Sequence, residues 1–301
     1  MSVPVPGRGP GSGSGSGSGT GPGSGPGAAP GGGSGARTGN PAAWSPRTLL
    51  GLLVAELRKM LSTSAWWALL VPAGLIALLV TLITAEAAGL AFTPSLAQSL
   101  ALGSFSAKFA VVLGLVCATA ENRHRTLATS YLTAPGRPQL LVAKVVVAAV
   151  LGAGYGLFSA LFGLLGMVFG GGQLTGGDFG SVLEVSAVAL VVFALWAVLG
   201  VGLGTLVNNQ LAAIVGVLVY LLLVEQIIGG LASLSNLGRI DDYLPGGSAT
   251  ASLTGLAGSE PFGGGFGAFG VPWWLALLIF FGYAVVAVLA GAAAAQRRDI
   301  N

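Results

Sequence analysis

Residues 66–85 read "WWALLVPAGLIALLVTLITA", a run without a single charged side chain that opens on Trp66 and Trp67. A helix rises about 1.5 Å per residue, so roughly 20 apolar residues cross a hydrocarbon layer about 30 Å thick. Inside lipid the backbone N–H and C=O groups must pair within their own segment, so such a run crosses as a helix. The two tryptophans suit the interfacial belt. Five further segments come near the same length: about 100–120, interrupted by Lys108, then 145–169, 185–207, about 211–230 with Glu225 near its end, and 273–295, opened by "VPWW". Nothing alternates with period two over ten-residue segments, which argues against a barrel. Charged residues make up only 8% of the 301 and hydrophobic ones 53%, against roughly a quarter charged in a soluble domain. The expected fold class is an all-α membrane protein with six transmembrane helices.

Lys and Arg set the orientation. With the N-terminus inside, the inner side collects Arg8, Arg37, Arg47, Arg58, Lys59, Arg123, Arg125, Arg137, Lys144, Arg297 and Arg298, while the outer side holds only Arg239. That asymmetry puts both termini in the cytoplasm. Residues 1–45 form a Gly/Ser/Pro-rich tail with almost nothing that could enter a core, expected to be disordered and cytoplasmic. An anionic-lipid or partner contact is the functional alternative for it. The tail lacks the apolar stretch of a signal peptide, so cleavage after translocation is not expected. Residues 46–301 are expected to form the transmembrane domain.

Two features stand outside the spans. Ser45 and Pro46 read as an N-cap and a first helical position ahead of "RTLLGLLVAELRKMLS". Leu49, Leu50, Leu53, Val54, Leu57 and Leu61 recur there at helical spacing, with Arg47, Arg58 and Lys59 supplying charge. This predicts an amphipathic helix along the inner membrane surface; the plainer alternative is an early extension of span one. The outer connection, 231–270, is partly apolar and broken by Pro245, Gly246 and Gly247. It reads either as one or two short helices dipping toward the outer leaflet or as an undecorated surface loop.

Catalytic constellations are missing. One histidine, His124, excludes two-histidine metal sites, and the single Cys117 excludes both a disulfide and a cysteine-pair zinc site. There is no G-x-S-x-G elbow, and no glycine-rich loop leads into the Lys-Ser or Lys-Thr that cradles nucleotide phosphates. Asp241 and Asp242 read as a solvated turn. A formal charge of +3, scattered along the chain, does not suggest nucleic acid. No catalytic residue, bound metal or cofactor is expected in this chain.

Ionisable residues inside spans are the default place to look for function in a membrane protein. Lys108, Glu184 and Glu225 qualify, as substrate contacts or as a Lys108 pair with Glu225 or Glu184. Each falls toward the outer end of its expected span, so snorkelling to the interface explains them as well. Glycines four apart, Gly152 with Gly156 in "LGAGYG" and Gly200 with Gly204 in "LGVGLG", allow helices to approach closely in lipid. Packing is the ordinary reading; a hinge or substrate passage is the other.

Between spans two and three lies the one long polar stretch, "ENRHRTLATSYLTAPGRPQLLVAK", residues 121–144. Its first part reads as a short helix. Glu121 and Arg125 are four apart with the acid first, the favourable order. Leu127 and Tyr131 form an apolar stripe that would stay exposed unless something covers it. Pro135 and Gly136 end that helix and Pro138 opens the next. Plainer readings exist for its members: interfacial charge for Glu121, Arg123 and Arg137, a cap or back-bond for Thr126, snorkelling for Lys144.

Glu121, Arg123, Thr126, Pro135, Arg137 and Lys144 resemble the pattern that ABC-2 type transporter permeases show after their second span: E-x-R-x-x-T, then P-x-R, then a lysine entering span three. "LLVAELRKMLST" before span one, "LGTLVNNQLAAIVGVLVYLLLVE" across spans four and five, and "YLPGGSA" in the outer loop are similar to the family's actinobacterial members. The resemblance covers about residues 45–298. It implies a transmembrane subunit of an ATP-driven exporter in a bacterial plasma membrane, paired with a second permease copy and two separate ATPase subunits that bind ATP and Mg. The 121–135 helix would be the coupling helix seated in a cleft of the ATPase, its arginines meeting acidic residues there and Leu127 and Tyr131 filling the cleft. Residues 47–62 would be the connecting helix and 231–262 the re-entrant outer helices. A Gly-, Ala- and Leu-rich dimer interface would suit a hydrophobic or amphiphilic cargo. A secondary transporter, expected to show mid-membrane charges in two corresponding halves, and a non-transporting scaffold or assembly protein are the rivals.

Overall fold

A computed structural model describes residues 46–86, 95–124, 137–171, 178–207, 209–234, 240–257 and 271–297. The tail, residues 1–45, lies outside them. All regular structure among the described residues is helical, and six helical segments are long and apolar enough to cross a membrane: Ala65–Glu86, Leu96–Thr119, Gln139–Phe169, Phe179–Leu206, Gln210–Ala232 and Trp273–Gln296.

Helix α1, Pro46–Leu61, is separate from α2, Ala65–Glu86, and not an extension of it. The corner between them is made by side chains that take up the carbonyls a helix end leaves orphaned. The Ser62 hydroxyl donates to the Lys59 carbonyl at 2.8 Å, the Thr63 hydroxyl to Met60 at 2.8 Å, and Trp66 Nε1 to Leu61 at 3.0 Å. Trp66 therefore fixes the turn as well as lying at the start of a span.

The second span differs from the expected 100–120. It starts at Leu96, because Ser95 and Gln98 form a reciprocal capping box: Gln98 N–H to Ser95 Oγ at 3.2 Å, Ser95 N–H to Gln98 Oε1 at 2.9 Å. It is also not one straight helix. Helix α3, Leu96–Gly103, passes through a 3-10 turn at Ser104–Ala107 into α4, Lys108–His124. Hydroxyls of Ser104 and Ser106 turn back onto the carbonyls of Ala101 and Gly103, the local competition that bends helices.

Helix α5, Arg137–Phe169, has 33 residues and is roughly 50 Å long, well beyond a hydrocarbon layer. Gly171 closes it at φ 77°, the left-handed conformation in which a side chain is strained. Helix α6, Asp178–Leu206, follows. Asn209 then caps α7, Gln210–Val219, accepting from the N–H groups of Leu211 at 3.0 Å and Ala212 at 3.3 Å. Span five continues through a π turn, Tyr220–Val224, into α8, Glu225–Leu234.

The connection between spans five and six is not an undecorated loop. Ile240–Tyr243 form a 3-10 turn and α9 spans Pro245–Leu256, with Ser248, Ala249, Ala251, Ser252, Leu253 and Thr254 buried. Asp242 is only 3% exposed, so the solvated turn expected at Asp241–Asp242 does not hold for it. The apolar content that made the loop look ambiguous is spent on packing α9 against α10, Trp273–Arg297, and against α3 and α6.

Helix α6 is the hub, packing on α4, α5 and α10; α2 and α1 pack on α5. Its contact with α4 is a glycine crossing. A Cβ on Gly114 would fall far inside contact distance of the Ala197 carbonyl oxygen, and one on Gly200 would do the same to that of Val111. Two bare backbones thus touch, the approach small residues permit in lipid. Nearby, Trp196 of α6 meets Phe280 of α10 with ring centroids 4.8 Å apart at 56°.

Candidate functional site

Helix α4 continues unbroken to His124, so Glu121 and Arg123 end that helix rather than begin a separate one. The reason is that "CATA" ahead of Glu121 holds no Gly or Pro to stop it. Arg137 and Pro138 open α5. Thr126, Leu127, Tyr131 and Pro135 lie outside the described residues.

Lys144 does not snorkel. It is 5% exposed, and its Nζ lies 3.2 Å from Oε2 of Glu56, itself 6% exposed, on α1. Lys59, one turn along α1, approaches the other carboxylate oxygen at 3.5 Å. Sequence reasoning passed over Glu56, although a signal was there. On a 3.6-residue period it falls on the stripe of Leu53, Leu57 and Met60, the face α1 turns inward, while Leu50, Val54 and Leu61 look out. An acid on a buried stripe needs a buried base, and Lys144 supplies it.

A second group of polar side chains assembles from other elements. Glu225 is 6% exposed, and its Oε1 accepts the Gly246 N–H at 2.9 Å. It therefore caps α9 from 21 residues away in sequence, where the preceding Leu244 provides no side-chain cap. A carboxylate there meets both the unsatisfied N–H groups and the positive end of the helix dipole. Snorkelling is thereby replaced by a structural contact. Gly246 admits the carboxylate because a Cβ would collide with it. Gly246→Ala is accordingly expected to push the acid off its N–H and cost about 1–2 kcal/mol, read as a lower midpoint of thermal unfolding in detergent; Gly247→Ala is the comparison.

Lys108 stands near the middle of the second span, not its outer end, because that span begins earlier than expected. It is half-buried, lies 3.5 Å from the centroid of the Phe105 ring, and is near enough to Glu225 for the two charges to attract. Glu184 is exposed on α6 and is not brought to Lys108. Tyr220, in the π turn, interacts with Glu225 and with Tyr283 of α10, whose hydroxyl donates to the Tyr243 carbonyl at 3.0 Å.

The four glycines singled out in sequence all sit at helix contacts. Added Cβ atoms would lie 2.6 Å from the Phe193 carbonyl oxygen at Gly152, 3.0 Å from Leu190 Cα at Gly156 and 2.7 Å from Ala118 Cβ at Gly204, with Gly200 at the crossing described above. Sequence spacing missed their partner Gly114, which has no second glycine at i±4. Among the described residues no group of three His, Cys, Asp or Glu side chains is placed to hold a metal ion. No protein-family model matches the sequence, and neither does any curated protein.

Proposed function

We propose that this chain is the membrane-spanning subunit of an ATP-binding cassette exporter of the ABC-2 type, residing in a bacterial plasma membrane with both termini inside. It works with a second permease copy and with separate ATPase subunits that bind ATP and Mg, and it moves a hydrophobic or amphiphilic cargo. The observation that carries the reading is the buried Glu56–Lys144 pair, which ties α1 to α5 two turns beyond the polar connection. A partner pressing on residues 121–137 would then move α5 and α1 together. Through the interlocked Gly114 and Gly200 it would carry α4 and α6 as well. A rigid lever of this kind would pass on a push delivered from outside the bundle. The missing phosphate-binding loop in the chain is consistent with fuel arriving from outside.

Co-expression with candidate ATPases tests the proposal. The wild-type chain should purify with its ATPase, and Arg123→Glu with Arg137→Glu should lose the ATPase at unchanged membrane yield. An unaltered complex in the double variant would overturn the docking assignment.

A further inference from the structure

We infer that Lys108, Phe105 and Tyr220 form a binding site, at mid-depth in the spans, for the anionic group of an amphiphile. The inference deepens the transport reading by naming a substrate class. Lys108, Tyr220 and Tyr283 fall near the middle of spans two, five and six, and Glu225 somewhat beyond it. Polar groups from three spans thus fall near the middle of their segments, where charge marks substrate paths. The backbone is irregular on both sides of the site. The 3-10 turn Ser104–Ala107 delivers Lys108, and the π turn Tyr220–Val224 delivers Tyr220 and Glu225; π turns inside helices are frequent at functional sites.

The charges decide the ligand. Glu225 is buried and occupied with the α9 N-terminus. No carboxylate lies within 4 Å of Lys108 among the described residues, and its ammonium rests on Phe105, which is half-exposed. A half-buried ammonium whose one described contact is a ring face keeps N–H donors to offer a ligand. A carboxylate or phosphate seated on Lys108, with the Tyr220 hydroxyl as a second donor and Phe105 against the first carbons of the tail, completes it. The same chemistry fits a single-chain carboxylate cargo and a phospholipid headgroup.

Two photoreactive probes separate these sources: a diazirine fatty acid and a diazirine phosphatidic acid. Each is added to the full-length chain in phosphatidylcholine nanodiscs without any ATPase, with the corresponding fatty alcohol as the uncharged comparison. At least one anionic probe should label peptides containing Phe105–Lys108 or Tyr220. Lys108→Met should weaken that labelling at least tenfold, Lys108→Arg should retain most of it, and Tyr220→Phe should lower it severalfold. The probe that depends on Lys108 identifies the source. Equal labelling by the alcohol, or Lys108→Met and Tyr220→Phe both labelling like wild type in monodisperse protein, would overturn the site. Because no ATPase is present, Lys108-dependent labelling alongside a failed docking experiment would sink the transport reading and leave the site standing.

Discussion

Glu56→Ala is expected to cost about 3–5 kcal/mol, the range for stripping one partner from a buried ion pair. Lys144, 5% exposed, would lose the carboxylate now 3.2 Å away and either stay charged in apolar surroundings or release its proton, and both are costly. In a chain of this size that corresponds to a fall of roughly 6–20 °C in unfolding midpoint. The single buried Cys117 gives a direct readout, since a thiol-reactive fluorophore reaches it only on unfolding. Glu56→Leu combined with Lys144→Met should recover most of the loss, because apolar replacement of both members of a buried pair is often neutral or better. The double variant also separates two roles. If the pair serves only to hold α1 on α5, the apolar version should retain ATPase association and transport. If the polar contact itself relays motion, stability returns and transport does not.

Gly200→Ala and Gly114→Ala are the other large effects. Each new methyl meets a main-chain carbonyl oxygen on the opposing helix, so relief requires α4 and α6 to separate rather than one side chain to rotate. Overpacking of this kind costs about 1–3 kcal/mol and occasionally more. The contact is reciprocal, and separation forced by one methyl makes room for the other. The double variant should therefore cost clearly less than the sum of the singles, a coupling that distant sites would not show. Gly154 and Gly282 have open space around a built Cβ, and alanine there should be neutral to mildly stabilising. The Cys117 assay on all five proteins checks this, and strict additivity at 114 and 200 would argue against the crossing.

Much of the fold was legible because lipid leaves a chain few choices. A largely apolar run of the required length crosses lipid as a helix, so all six segments could be located from apolar length, though not all of their ends. What could not be read depends on side chains meeting across distance. The start of the second span was missed because Ser95 and Gln98 are ordinary polar residues until their capping box forms. Its break was missed because Ser104 and Ser106 bend a helix only when their hydroxyls turn back on the main chain. Glu225 looked like an interfacial charge because nothing in its own helix hints that α9 begins beside it, and Lys144 because its acid is 88 residues away. Gly114 has small residues, Ala110 and Ala118, at four-residue spacing instead of a second glycine, and the α6 backbone against it shows which helix it meets. Periodicity did contain Glu56: its place on the stripe of Leu53 and Leu57 was visible, and only the partner was not.

The central claim, that an ATPase drives this bundle through the connection between α4 and α5, is tested most directly by a photoreactive amino acid at Tyr131 in cells that express the chain with its ATPase. An adduct between this chain and the ATPase subunit is expected, lost when the same probe is moved to Tyr243. A Tyr131 probe that never joins the ATPase while the complex remains intact would contradict it.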